Sequence, residues 1–345
     1  MAKIDGVLFL WADNLRVFSV FAVVLLHVAS GFVSDIDISN DIYGSRDWWA
    51  GNIYASITLW CIPLFVMISG YFLLNKTESN AVFFKKRINK ILIPLLFWSF
   101  FYSLWVLLKY FIKGDISTAY FTVAQGWALG EPYYHLWYLF MIPFLYLVTP
   151  VLRVIISSLK QKEFFAFISI CFALAMLSAL SNVVLLYFDL SAKVSLFTND
   201  FLSYLGYFCL GGYIAKYKVK ANTHWCFLIF IVALLITIVG SYYITHLYFY
   251  SYLSVNITAA SVAVFFLIKK HANNDLKLSC FAVHSFGIYL IHPLFIKLIS
   301  SFGEQRLLEM MDIYLYIWLV AFLAFTLSYI TAFCMSKVRY LNRCI

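Results

Sequence analysis

The chain contains 345 residues, of which 64% are apolar, 20% aromatic and only 12% charged, and its mean hydropathy is +0.88. Soluble domains carry about 25% charged residues. This composition excludes an ordinary soluble protein and predicts an all-α polytopic membrane bundle. The net charge of +9 does not indicate nucleic acid binding, because the basic residues collect on one predicted side of a membrane.

Ten apolar segments are long enough, at about 20 residues each, to cross a bilayer. With the N-terminus inside, their connections place 19 of the 25 lysine and arginine residues on the inner side. The positive-inside rule then puts both termini in the cytoplasm. We expect one integral membrane domain over residues 1–345. The predicted spans are residues 8–33, 52–74, 90–112, 135–156, 164–187, 199–217, 225–247, 250–268, 284–302 and 313–336.

Polar residues run along one face of the first span. Asp13, Arg16 and His27 interrupt an otherwise apolar stretch, which argues against a cleaved signal peptide. Arg16 and His27 are three helical turns apart, about 20° around the axis and about 16 Å along it. Intramembrane charges are costly and usually face the bundle interior or a water-filled cavity. The pattern therefore predicts a functional face on this helix.

Each residue of this face has a structural explanation as well as a functional one. His27 could form a hydrogen bond between helices, or it could act as a general base or an acyl-accepting nucleophile. Arg16 could extend to the lipid phosphates, pair with Asp13 one turn away, or bind a ligand. A pair with Asp13 would also orient Arg16 toward a substrate.

The densest basic cluster, residues 85–90 (KKRINK), precedes the third predicted span. Inner loops collect such charges for topological reasons alone. However, Arg87 and Lys90 are three residues apart and share one helix face. Two cations at a helix start suit phosphate groups, so the cluster is also a candidate site for a nucleotide-bearing cofactor that approaches from the cytoplasm.

Further features lie later in the chain. Residues 113–134 are too aromatic for a free outer loop, and we predict a re-entrant or interfacial segment there. His292 precedes Pro293, which frees a backbone carbonyl one turn back, and satisfying that carbonyl is the favoured role for His292. Gly70 permits close helix packing. The seven cysteines show no paired spacing, so neither a disulfide framework nor a metal site is predicted.

Taken together, these residues resemble the acyltransferase-3 family of membrane O-acyltransferases. The resemblance rests on Arg16 and His27, with ten residues between them, and it recurs in order along nearly the whole chain. It is strongest to stand-alone bacterial members that modify surface polysaccharides. The basic cluster reads Lys-Lys-Arg-x-x-Lys instead of an arginine-rich run, so the role of each cation stays open. The other matching motifs are residues 11–16 (WADNLR), 63–71 (PLFVMISGY), 135–138 (HLWY) and 287–293 (GIYLIHP).

The resemblance implies that an acyl group, expected to be acetyl, moves from cytoplasmic acyl-CoA to a sugar hydroxyl outside a bacterial inner membrane. His27, with Asp13 and Arg16, would be catalytic, as base or as acylated intermediate. The remaining implied site residues are Arg16, Lys86, Arg87 and Lys90 for the phosphates of acetyl-CoA, and Glu131, His135 and Trp137 for the polysaccharide.

Two other classes of protein fit parts of the pattern. A transporter or flippase for lipid-linked sugars or small solutes would also carry intramembrane charges. The absence of an internal repeat in the sequence and the phosphate-suited basic cluster disfavour it. A non-catalytic scaffold for a glycan synthase would explain the spans but not the polar face of the first one.

Overall fold

The structure is a computed structural model that describes residues 3–4, 7–33, 40–188, 200–244 and 246–345. Near the N-terminus, β1 (Lys3–Ile4) and β2 (Val7–Leu8) form a short antiparallel pair. Helices make up most of the remainder. They are α1 (Leu10–Ser30), α2 (Arg46–Thr58), α3 (Cys61–Leu73), α4 (Asn80–Ile112), α5 (Ile116–Leu129), α6 (Trp137–Ser158), α7 (Gln161–Tyr187), α8 (Asp200–Ser203), α9 (Leu205–Lys216), α10 (Thr223–Tyr243), α11 (His246–Phe249), α12 (Val255–His271), α13 (Ser279–Met310) and α14 (Ile313–Lys337).

Eight helical segments among the described residues are long and apolar enough to cross a membrane, with α2 and α3 together forming one of them. The chain is therefore an all-α polytopic membrane protein, as the composition predicts. These segments are Leu10–Ser30, Arg46–Leu73, Asn80–Ile112, Trp137–Ser158, Gln161–Leu185, Thr223–Tyr243, Ser279–Ser301 and Ile313–Lys337.

Two of the ten predicted spans form shorter helices. The span predicted at 199–217 contains α9, whose 12 residues cover only about 18 Å of a hydrocarbon layer about 30 Å thick. The span predicted at 250–268 overlaps α12, which has 17 residues and ends at His271. Residues 199 and 245, which fall within predicted spans, lie outside the described residues. Hydropathy thus locates these two segments, but it overestimates the length of the helix in each.

The chain divides into two compact units, Met1–Asn75 with Leu159–Thr331, and Lys76–Ser158 with Ala332–Ile345. In the first unit, α1 packs against α2, α3, α12 and α13. It is the most buried spanning helix, with 78% of its apolar window buried, compared with 22% for α7. In the second unit, α4 packs against α5, α6 and a C-terminal 3-10 turn. The polar face of α1 therefore belongs to a helix that is mostly surrounded by other parts of the protein.

Glycines allow α3 and α9 to approach each other at backbone distance. A Cβ added at Gly70 would collide with the carbonyl of Phe208, and one added at Gly211 would collide with the carbonyl of Met67. The close packing predicted for Gly70 is thereby confirmed. Small residues at such crossings let helix backbones meet without side chains between them.

We expect Gly70→Ala to lower the free energy of unfolding by about 1–3 kcal/mol, because the two backbones must move apart. Thermal unfolding of the purified protein in detergent measures this effect. The control is Gly303→Ala in α13, where an added Cβ comes no closer than 3.5 Å to Leu307. The control should unfold at or above the wild-type temperature, and an unchanged temperature for Gly70→Ala would contradict the expectation.

Candidate active site

Two histidines from distant parts of the chain meet within the first unit. His27 on α1 and His292 on α13 lie with ring centroids 5.2 Å apart and planes inclined by 26°. His292 is completely buried, whereas His27 keeps part of its surface exposed. The predicted catalytic histidine therefore contacts a second imidazole, which lies on α13.

The position of His292 follows from Pro293. Proline has no N–H, so the Tyr289 carbonyl loses the helical hydrogen bond that residue 293 would donate. The Nδ1–H of His292 donates to that carbonyl at 2.7 Å. The structural role predicted for His292 is thus confirmed. This bond also selects the tautomer that carries the proton on Nδ1, which leaves the lone pair on Nε2 in the neutral ring.

The other two predicted catalytic residues lie near the opposite end of α1. Arg16 Nη1 donates to Asp13 Oδ1 at 2.8 Å, so the pair predicted from their spacing forms. The Asp13 side chain is buried, and 30% of the Arg16 side chain is exposed, with its guanidinium over the Phe72 ring. Because α1 is continuous, Arg16 lies about 16 Å along the axis from His27. Asp13 is farther still, so neither residue can orient the imidazole directly.

Asn14 is a residue of this helix to which sequence reasoning gave no role. Its side-chain Nδ2 donates to the carbonyl of Ala272 at 2.8 Å and to that of Asn274 at 3.0 Å. Both amide hydrogens are therefore used to hold the chain that follows α12 against α1. The only sequence signal was its place between Asp13 and Arg16 in the WADNLR motif.

In the second unit, the predicted phosphate-binding cations lie within α4 and not at its start. The helix begins at Asn80, and Ser79 caps it by accepting a hydrogen bond from the Val82 N–H. Arg87 is thus about two turns inside the helix. The free N–H groups of the helix start are too far away to assist Arg87 and Lys90, so that part of the prediction is wrong. Arg87 and Lys90, three residues apart, do share one face of the helix, as predicted.

A carboxylate and a further arginine complete this cluster. Lys86 Nζ lies 2.9 Å from Glu78 Oε2, and Arg153 Nη2 lies 3.6 Å from Glu78 Oε1. The guanidinium groups of Arg153 and Arg87 lie 4.7 and 5.5 Å from the centroid of the buried Phe83 ring. Burial raises the pKa of Glu78, but the Lys86 hydrogen bond and the charges of Lys86, Lys76 and Arg87 lower it more, so the net pKa lies below its ordinary value.

The cluster of Lys86, Arg87, Arg153 and Glu78 therefore keeps an excess of positive charge. Arg153 is one of the 19 basic residues predicted on the inner side, but its position beside Glu78 depends on tertiary packing and is not predictable from the sequence. Lys90 is exposed on the same helix. Such an arrangement suits a multiply charged anion, since fixed guanidinium groups bind phosphate oxygens well.

The predicted sugar-binding residues follow α5 in the second unit. Trp127 Nε1 donates to Ser103 Oγ at 2.9 Å, which fixes α5 on α4. Glu131 is exposed and Trp137 is partly exposed. His135 is buried, and Tyr102 and Tyr133 lie around it, with their rings stacked 4.3 Å apart. Glu131 and Trp137 are thus accessible to a sugar in this conformation, and His135 is not.

Comparison with known families identifies the class of this protein. The acyltransferase-3 profile, which describes an acyltransferase domain, matches residues 9–336. The chain therefore belongs to the acyltransferase-3 family and is a multi-pass membrane acyltransferase. The match includes both His27 and His292. No curated protein matches the chain, and no solved structure matches it.

Proposed function

We propose that the chain transfers an acetyl group from cytoplasmic acetyl-CoA to a hydroxyl of a cell-surface or lipid-linked polysaccharide in a bacterial inner membrane. Besides membership of the acyltransferase family, one structural observation supports the proposal. His27, a partly exposed imidazole, lies in the most buried spanning helix and stacks on a second imidazole. An ionisable ring is rarely retained in such a position without a function.

The neutral His27 ring can promote acyl transfer by two routes. As a general base, it takes the proton of the acceptor hydroxyl while the oxygen attacks the thioester carbonyl. The carbon–sulfur bond then breaks and the thiolate takes the proton from His27. As a nucleophile, His27 attacks the carbonyl itself, and the acceptor hydroxyl later displaces the imidazole and gives its proton to the thiolate. Both routes yield an ester and a free thiol.

The donor's phosphates are proposed to bind the cations Lys86, Arg87 and Lys90 of the second unit. Arg16 on α1, in the first unit, is proposed separately as a further phosphate-binding cation. Arg153 joins this set because it shares Phe83 and Glu78 with the α4 cations. Several fixed cations are needed, since CoA carries a pyrophosphate and a further phosphate group. The pairing of Arg16 with Asp13 fits an orienting role for Asp13.

The acceptor sugar is proposed to contact Glu131 and Trp137. A carboxylate accepts hydrogen bonds from sugar hydroxyls, and an indole face suits the apolar face of a sugar ring. His135, enclosed by Tyr102 and Tyr133, supports this segment from within. This assignment places recognition of the sugar in the second unit.

The test is acyl transfer by the purified protein in detergent. The protein is incubated with isotope-labelled acetyl-CoA and glycan from cells that lack the gene. We expect free CoA thiol and one added acetyl unit per modified sugar in mass spectra. Rapid quenching without acceptor separates the two routes, because only the nucleophilic route leaves label on the peptide that contains His27. Binding of glycan without any acyl turnover would favour the transporter class.

A further inference from the structure

The second imidazole, that of His292, is not used by either route for acyl transfer. Its Nδ1–H is committed to the Tyr289 carbonyl, and the side chain is completely buried. A substrate can therefore contact the partly exposed His27 but not the buried His292. Because His292 contacts His27 directly, we expect an effect of His292 on the reaction to act through His27.

The arrangement of the two rings limits what this effect can be. Rings inclined by only 26° with centroids 5.2 Å apart present their faces to each other. A cation within about 6 Å of an aromatic ring face is stabilised by the ring's quadrupole, and most strongly where water is excluded. Burying a charge is costly, so the enclosed His292 is the neutral ring of the pair.

Positive charge develops on His27 in both routes. In the base route, the ring becomes an imidazolium when it holds the hydroxyl proton, before the thiolate takes that proton. In the nucleophilic route, the ring becomes an acyl-imidazolium after the carbon–sulfur bond breaks, before the hydroxyl oxygen takes the acyl group. The ground-state ring is neutral in each case, so a contact that favours the charged ring lowers the barrier.

We propose that His292 is a positioning residue for catalysis, whose ring face stabilises the positive charge that forms on His27 during acyl transfer. The inference rests on the proposed function. Pro293 and the Tyr289 carbonyl serve it by holding the His292 ring in one orientation. The contact with His27 follows from α1 packing on α13.

Two substitutions separate this role from the hydrogen bond to Tyr289. His292→Asn keeps the bond, because the amide Nδ2 of asparagine takes the place of imidazole Nδ1, but it removes the aromatic face. His292→Phe keeps an aromatic face and removes the donor. We expect kcat to fall about tenfold in His292→Asn, with the KM for acetyl-CoA unchanged. His292→Phe should retain a higher kcat than His292→Asn.

The combined variant tests whether His292 acts through His27. Adding His292→Asn to a His27→Ala protein should leave the residual rate unchanged, because the charge that His292 stabilises no longer forms. Thermal unfolding in detergent shows that each variant is folded. If His292→Phe does not fold, the kcat of His292→Asn alone tests the proposed role of the ring face.

Three outcomes would overturn the inference. A kcat for His292→Asn within twofold of wild type would show that His292 has only the structural role of bonding to the Tyr289 carbonyl. A further loss of rate on adding His292→Asn to His27→Ala would show that it acts independently of His27. The absence of acyl transfer by the wild-type protein would overturn the proposed function and this inference with it, and the wild-type assay distinguishes that failure from the other two.

Discussion

Replacing His27 with alanine is expected to reduce acyl transfer at least about 100-fold, because the ring that takes the proton or the acyl group is removed. The His27 side chain is only partly buried, and the fully buried side chains of α1 are unchanged. The substitution should therefore leave the protein inserted and folded. The measurement is the rate of label transfer from acetyl-CoA to glycan by the purified variant.

His224→Ala is the matched control for this experiment. His224 is exposed at the start of α10, and its backbone N–H, which the substitution preserves, bonds to Asn222. The control should transfer label at the wild-type rate. A His27→Ala protein with near-normal product in glycan mass spectra would remove His27 from the mechanism.

Replacing Arg87 with glutamine is expected to weaken binding of acetyl-CoA at least about tenfold, the usual cost of losing a charge-assisted hydrogen bond. The Arg87 guanidinium lies over the rings of Phe83 and Tyr146, and its buried Nε has no hydrogen-bond partner among the described residues. The guanidinium is thus held in place, and Arg87 as a whole is partly exposed, as a side chain that binds a phosphate must be. Calorimetric titration of the detergent-solubilised protein measures the dissociation constant.

Two further substitutions separate a binding role from the topological role of inner-side cations. Lys162→Gln removes an exposed cation on the same predicted side and should leave the affinity unchanged. Glu78→Gln removes the carboxylate that competes for Lys86 and Arg153, and should tighten binding several-fold. If wild type, Arg87→Gln and Lys162→Gln bind acetyl-CoA with equal affinity, the basic cluster does not bind the donor and only determines membrane topology.

The sequence alone predicts those features that depend on local patterns. Hydropathy predicts the all-α membrane class, because each spanning helix must be apolar over most of its length. The three-residue spacing predicts the pair of Asp13 and Arg16, which one helix brings together. Proline chemistry likewise predicts the bond from His292 to the carbonyl one turn earlier.

Features that depend on contacts between distant segments are not predictable in this way. No periodicity connects His27 with His292, since their contact requires α1 and α13 to pack together. Arg153 meets Glu78 for a similar reason. α4 begins at Asn80, ten residues before the start of the predicted span. Lysine and arginine end an apolar run but are good helix formers, so the helix extends through the basic cluster.

The proline in α13 has a consequence for engineering the protein. Alanine at position 293 would restore the missing main-chain bond and so strengthen the helix in isolation. The restored N–H would then compete with His292 for the Tyr289 carbonyl. Freed from that anchor, the ring could turn about its χ1 and χ2 torsions and lose its alignment with its neighbour. A more stable helix is therefore expected to yield a slower enzyme, as in other proteins where optimised stability costs activity.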